Sequence, residues 1–207
     1  MKRILPYSLI TLLLMTYMPI ASADWWNDVK NNRVTSVTKA IAEGQDPNAF
    51  NQEGHTAIIY AAREQSKKSY MALVHNTKVD VNLANRYDET PLMYAAIMGD
   101  MDFAKALLNR GARVNKLGWT PLHYAAVKGK TEMVNYLLSQ GALPNAPAPD
   151  GSSPLYSAVQ FGSTATIKAL LKGGADPYAI NQAGKSAMDL AKEKKMSSVI
   201  KLFEQKH

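Results

Sequence analysis

One short phrase recurs five times along the chain: GHTAIIYAA from Gly54, DETPLMYAA from Asp88, GWTPLHYAA from Gly118, GSSPLYSAV from Gly151 and GKSAMDLA from Gly184. Its hydroxyl residues Thr56, Thr90, Thr120, Ser153 and Ser186 are spaced by 34, 30, 33 and 33 residues. A unit of this size cannot bury its apolar face alone and must stack on a copy of itself, so the period predicts an array rather than a domain with one central core.

Each unit can be read residue by residue. In the third copy Thr120 stands at a helix N-cap, and Pro121 takes the first helical position, where a missing N–H is harmless. Leu122, Ala125 and Ala126 share one face before Gly129 ends the helix. A second helix follows, with Met133, Val134, Leu137 and Leu138 as its apolar stripe and Gly141 as a left-handed terminator. The preceding copy repeats this with Phe103, Ala104, Leu107, Leu108 and Gly111, and the following one with Ile167, Leu170, Leu171 and Gly174. GARVN, GALPN and GADPY then lead into turn-rich links that read as projecting hairpins. The alanines of the first helix let neighbouring units approach closely.

TPLHYAA, the G-A-x-x-N exit and the period of about 33 residues together resemble the ankyrin repeat family, over roughly Trp25 to Phe203. The resemblance implies an all-α repeat solenoid, an ankyrin stack of helix-turn-helix units with projecting hairpin loops. The expected organisation is a leader over 1–23, an N-terminal capping repeat over 24–54 that reads as half a unit, four internal repeats over 55–184, and a lysine-rich C-terminal cap over 185–207. Terminal units differ because one side faces water, and Trp25 and Trp26 are expected to cover the open end.

Irregularities stand out against the pattern. The first internal repeat carries one extra residue near Val74 to Lys78, and Gln65 replaces a glycine, which predicts a looser inter-helix turn. The hairpin before Thr120 is three residues short, with only Lys116 and Leu117 between Asn115 and Gly118, which predicts a notch in the row of hairpins. Pro144, Pro147, Pro149 and Pro154 stiffen the next hairpin against collapse into that notch. Asp88 takes a hairpin-glycine position, where aspartate tolerates a left-handed backbone.

The first residues read as an export signal: Lys2 and Arg3, a mostly apolar run from Ile4 to Ile20, then Ala21-Ser22-Ala23. Cleavage after Ala23 is expected. An uncleaved anchor is the alternative, but polar residues and prolines interrupt a run shorter than the roughly 20 apolar residues of a spanning helix. A periplasmic or secreted location follows, and the lumen of a secretory pathway stays open. The chain has no cysteine, so neither a disulfide framework nor a lipidated cysteine is available. Its formal net charge is +7, and its last 23 residues hold Lys185, Lys192, Lys194, Lys195, Lys201 and Lys206 against Asp189, Glu193 and Glu204.

The sequence offers no chemistry of its own. His55, His75, His123 and His207 fall in different repeats or at the terminus, without the spacing a metal site requires. No hydroxyl, base and orienting acid converge, and the glycines follow the repeat period rather than a phosphate cradle. The expectation is therefore no catalytic residue, no metal and no cofactor. For His123 the resemblance implies a structural hydrogen-bonding role between hairpins, with Ile59, Met93, Tyr156 and Asp189 at the equivalent positions.

By the same resemblance, the concave face carries the residues flanking the hairpin glycine and those after the paired alanines. In the first internal repeat these are polar: Gln52, Glu53, His55, Arg63 and Glu64. In the next three the candidate partner-binding residues are Arg86, Tyr87, Glu89, Ile97, Met98, Lys116, Trp119, Val127, Lys128, Asp150, Gln160 and Phe161, with Leu117 and Ser152 nearby. Apolar side chains at places a scaffold leaves in water mark an interaction surface. The leading expectation is a monomeric, exported, non-enzymatic protein that captures another protein on a patch around Tyr87, Met98, Trp119 and Phe161. The alternative is a binder of nucleic acid or an anionic surface through the basic C-terminal cap.

Overall fold

The computed structural model describes residues 23–161 and 163–205, so the expected leader lies outside the described residues apart from Ala23. Among the described residues twelve helices follow one another in pairs: α1 (Ala23–Lys30) and α2 (Val34–Ala42), α3 (Ala57–Arg63) and α4 (Lys67–His75), α5 (Pro91–Met98) and α6 (Met101–Asn109), α7 (Pro121–Val127) and α8 (Thr131–Ser139), α9 (Pro154–Phe161) and α10 (Thr164–Lys172), α11 (Ala187–Glu193) and α12 (Ser197–Glu204). Odd-numbered helices pack on one another in sequence as an inner row, each against its even-numbered partner outside. The N-terminal unit, expected as half a repeat, contributes a full helix pair.

The hydroxyl at each unit's start performs the capping its position predicts, with instructive exceptions. Thr120, Ser153 and Ser186 accept the amides of His123, Tyr156 and Asp189 at 3.4, 3.1 and 3.1 Å. In the units where the third helical residue is apolar or a thioether, Ile59 or Met93, the Thr56 and Thr90 hydroxyls are buried without a side-chain partner. Prolines 91, 121 and 154 open their helices, and Ala61, Ala62, Ala95, Ala96, Ala125, Ala126 and Ala158 are buried where inner helices meet. Phe103, Leu107, Met133, Leu137, Ile167, Leu170 and Phe203 fill the core between the rows. Trp25 is buried at the first unit, and Trp26 packs edge-on against Tyr60 of α3 with ring centroids 5.8 Å apart, which ties the first unit to the second.

The G-A-x-x-N exit has a clear physical cause. Asn48, Asn82, Asn115 and Asn145 each reach the next unit, accepting the amide of Asp80, Arg113, Leu143 or Asp176 at 2.7–2.9 Å. Each also donates to that unit's Lys78, Gly111, Gly141 or Gly174 carbonyl. The asparagine staples the exit of one unit to that of the next, and Tyr178 takes its place after α10.

Gln65 does not loosen its turn. It adopts φ 58°, close to Gly129 at 63°, and the flanking bonds from the Gln65 and Ser66 amides to Ala62 and Ala61 match those of Gly129 and Lys130 to Ala126 and Ala125. Asn32 and Lys195 occupy the same left-handed region at the terminal units, and Asp88 does so in its hairpin at 62°. The substitution costs backbone strain, not order.

The hairpins, or fingers, close by one pattern. Asn51, Asn85, Ala148 and Asn181 donate their amides to the carbonyls of His55, Glu89, Ser152 and Lys185, all at 2.9 Å. Neighbouring complete fingers are joined by a backbone bond: Arg86 to the Gly54 carbonyl and Gln182 to the Asp150 carbonyl, both 3.0 Å. The shortened third finger forms neither bond. On one side the Lys116 ammonium reaches the Asp88 carboxylate instead. On the other, Pro149 stands where Arg86 and Gln182 supply their amides, and its ring covers Gly118, where an added Cβ would lie 3.6 Å from Pro149 Cγ. Proline has no N–H to leave unpaired, so the deletion in one finger is matched by the residue chosen in the next. Leu117, at the tip of this short finger, is 94% exposed.

Candidate interaction surface

A polar lattice runs along the finger side of the inner helices. Asn85 is fixed by its own turn, its side-chain oxygen accepting the Tyr87 and Glu89 amides at 2.9 and 3.0 Å. Its amide nitrogen is thereby turned toward Glu89 Oε2 at 2.9 Å. Glu89 also accepts from Tyr94 of α5 at 2.7 Å and from Tyr124 of α7 at 3.0 Å, joining one finger to two inner helices. Burial would raise the Glu89 pKa, but these three hydrogen bonds outweigh it and hold the carboxyl below its ordinary value. Burial, then the carboxylate, push both tyrosines well above theirs.

Trp119 stands on the next step of this lattice. It follows Gly118 at the end of the short finger, its ring meets His123 edge-on at 5.3 Å and Tyr124 at 6.0 Å, and it remains 39% exposed. His123 beneath it is fully buried. Nδ1 lies 2.9 Å from the Thr120 hydroxyl and Nε2 lies 3.1 Å from the Ser152 carbonyl of the next finger. The structural, finger-joining role expected for His123 is what its contacts show.

The remaining candidates separate into two groups. At the finger end lie Arg86, Tyr87, Glu89, Lys116, Trp119 and Asp150. Arg86 is spent on the first finger, donating to the Gln52 and Glu53 carbonyls, and its guanidinium lies 5.4 Å from the centre of the exposed Tyr87 ring. Lys116 is tied to Asp88, and Asp150 accepts the Ser152 amide and hydroxyl at 3.0 and 2.9 Å. Ile97, Met98, Val127, Lys128, Gln160 and Phe161 sit at the opposite ends of α5, α7 and α9, a helix length of about 12 Å away. There Ile97 and Val127 are half-buried, while Lys128, Gln160 and Phe161 are exposed.

Met98, expected beside Trp119, lines a separate groove with Gln65, Lys67, Tyr70, Asp100 and Asp102. Met98 and Phe161 thus lie at the helix ends opposite the fingers that carry Tyr87 and Trp119. His55 and Ser152, expected on the face, are buried. The lattice of Asn85, Glu89, Tyr94 and Tyr124 was missed because the period aligns units with each other and does not reveal which columns touch. The recurring tyrosine of YAA was its available signal.

Among the described residues no group of three histidine, aspartate or glutamate side chains could hold a metal ion, and no helix is long and apolar enough to cross a membrane.

Stacked helix pairs joined by asparagine staples, with a row of hairpin fingers, define a repeat solenoid. The family model for ankyrin repeats (3 copies) matches residues 26–117, 71–148 and 114–181, and the chain belongs to the ankyrin repeat family. It is 34% identical over 100 residues to alpha-latrocrustotoxin-Lt1a of Latrodectus tredecimguttatus, a match covering 48% of this chain and only 7% of the toxin. An ankyrin repeat domain from Acinetobacter baumannii superposes with a TM-score of 0.78 at 23% identity, covering 88% of this chain and 97% of that one, which shows a shared fold. Ankyrin repeats are protein–protein interaction modules, typically non-enzymatic scaffolds.

Proposed function

We propose that this chain is an exported, non-enzymatic binding protein whose finger side holds one protein partner, with Trp119 and Tyr87 as its anchors. The observation that carries the reading is the placement of Trp119: a partly exposed indole, propped by His123 and Tyr124 beside the finger that lacks three residues. A large aromatic held rigid before binding loses little conformational freedom on complex formation, and such residues dominate interface energetics. Moving the anchor away from Met98 and Phe161 narrows the surface to the finger end. Export rests on the leader-like first 23 residues.

The test is capture of the partner from the native compartment by wild type and by Trp119→Ala, with matched helical content. Wild type should retain a protein that the variant loses by a factor of ten or more, the scale of an aromatic anchor. Undiminished retention by Trp119→Ala, with loss on neutralising Lys192, Lys194 and Lys195 and on raising salt, would move the site to the basic C-terminal unit.

A further inference from the structure

His55 is set between the first two fingers in a cage with little room for a second proton. The ring is 1% exposed. Nε2 lies 2.6 Å from Arg63 Nη1, on α3, and Nδ1 lies 3.1 Å from the amide nitrogen of Asn85, on the second finger. Both neighbours are donors. Arg63 is always a donor, and Asn85 cannot turn its amide, because its oxygen is already taken by the Tyr87 and Glu89 backbone. A neutral imidazole satisfies one of these donors, whereas an imidazolium satisfies neither and places a positive charge against a guanidinium.

The other groups facing the ring do not cancel this conflict. Glu53, on the same finger, lies 3.7 Å from Nε2 but is bonded to Arg63. Glu89 is spent on Asn85, Tyr94 and Tyr124. Arg86, on the second finger, adds a further positive charge, and the Tyr87 ring packs 6.0 Å away. From α5 Tyr94 approaches, through Asn85.

We propose that His55 is a proton-operated latch between the first and second fingers: neutral, it lets them close through the Arg86 to Gly54 backbone bond; protonated, it drives Arg63 and Asn85 off and releases that bond together with Tyr87. The latch acts on the finger edge whether or not a partner sits there. Burial first, and then Arg63, hold the His55 pKa below 6.5, in keeping with the geometry. The sign follows by linkage. The open state takes up its proton near the ordinary value of about 6.5 and the closed state only at lower pH, so closure is complete above that value and weakens as pH falls toward the lowered pKa.

The fold supplies its own control. Gln182 makes the same kind of finger-to-finger bond at the other end, to the Asp150 carbonyl at 3.0 Å, where Ser152 takes the place of His55 and the neighbouring His123 faces the Ser152 carbonyl, an acceptor, instead of two donors. Amide exchange followed by NMR from pH 7.5 down to 5 should show the Arg86 protection factor falling by up to about tenfold per pH unit below pH ~6.5, with Gln182 falling less. The ring of His55 should titrate below the ordinary histidine value of about 6.5, and His55→Gln should reduce the pH dependence of Arg86 protection to that of Gln182. Protection of Arg86 and Gln182 running in parallel across the range, or His55 titrating at or above about pH 6.5, would overturn the latch; both measurements use wild type and stand even where His55→Gln does not fold.

Discussion

Left-handed backbone at Gln65 concentrates the cost of one inter-helix turn in a single residue. Its φ of 58° is the conformation Gly99 and Gly129 supply in the next two units without a Cβ. Replacement by glycine should raise stability by about 0.5–1 kcal/mol in urea titration, the relief of strain exceeding the extra freedom gained by the unfolded chain. His123 makes the opposite kind of prediction. His123→Met keeps a side chain that accepts the N-cap amide at the equivalent Thr90 to Met93 site, at 3.3 Å, but abandons the Ser152 carbonyl. The expected cost at neutral pH is about 1–3 kcal/mol. Burial lowers the His123 pKa despite its hydrogen bonds, so wild type is most stable above about pH 6.5 and loses stability as pH falls toward the lowered value. The variant should show a shallower decline, His55 still contributing its share; an unchanged slope would mean His123 titrates normally when folded.

Finger pairs are the element in which the repeat pattern predicts contact but not its closeness. Gly151 and Gly184 hold equivalent tip positions with φ of 80° and 70°, so alanine strains both backbones alike. They differ in their neighbours. A Cβ on Gly151 would lie 3.0 Å from the Gln182 amide nitrogen and 3.2 Å from Asn181 Cα, whereas one on Gly184 would meet nothing within 4 Å. Gly184→Ala should cost about 1–2 kcal/mol from φ alone, and Gly151→Ala measurably more, with lost amide protection at Gln182; equal costs would show that the fingers can part freely. Period, caps and stripes made all the internal helix pairs legible, because Thr120, Pro121 and Gly129 act within one unit. Contacts between columns, such as Glu89 with Tyr124 or Pro149 over Gly118, were not legible, since each joins residues some 30 apart whose meeting depends on stacking geometry. Met98 shows the limit: the sequence places it correctly on its helix, and only packing turns it into the groove beside Tyr70 and Asp100.

For the molecule as a whole, stability in a stack is a sum of unit and neighbour terms, so the same lesion should have different consequences at the middle and at the end. Phe103 in α6 and Phe203 in α12 are both fully buried. Phe103 belongs to a unit with neighbours on both sides, α4 among them, whereas α12 packs against α10 and α11. Alanine at either site removes a comparable apolar volume, about 3–5 kcal/mol of core packing. At Phe103 that loss weakens the centre of the stack, and a single helical transition should shift to lower denaturant. At Phe203 the terminal unit can detach while the rest stays folded, because its loss exposes only one interface. Circular dichroism of Phe203→Ala should therefore show an early step of about one sixth of the helical signal, two of the twelve helices among the described residues, before a main transition close to wild type. A single cooperative transition in both variants would mean that the C-terminal unit is locked to its neighbour more strongly than the α10 and α12 packing alone provides.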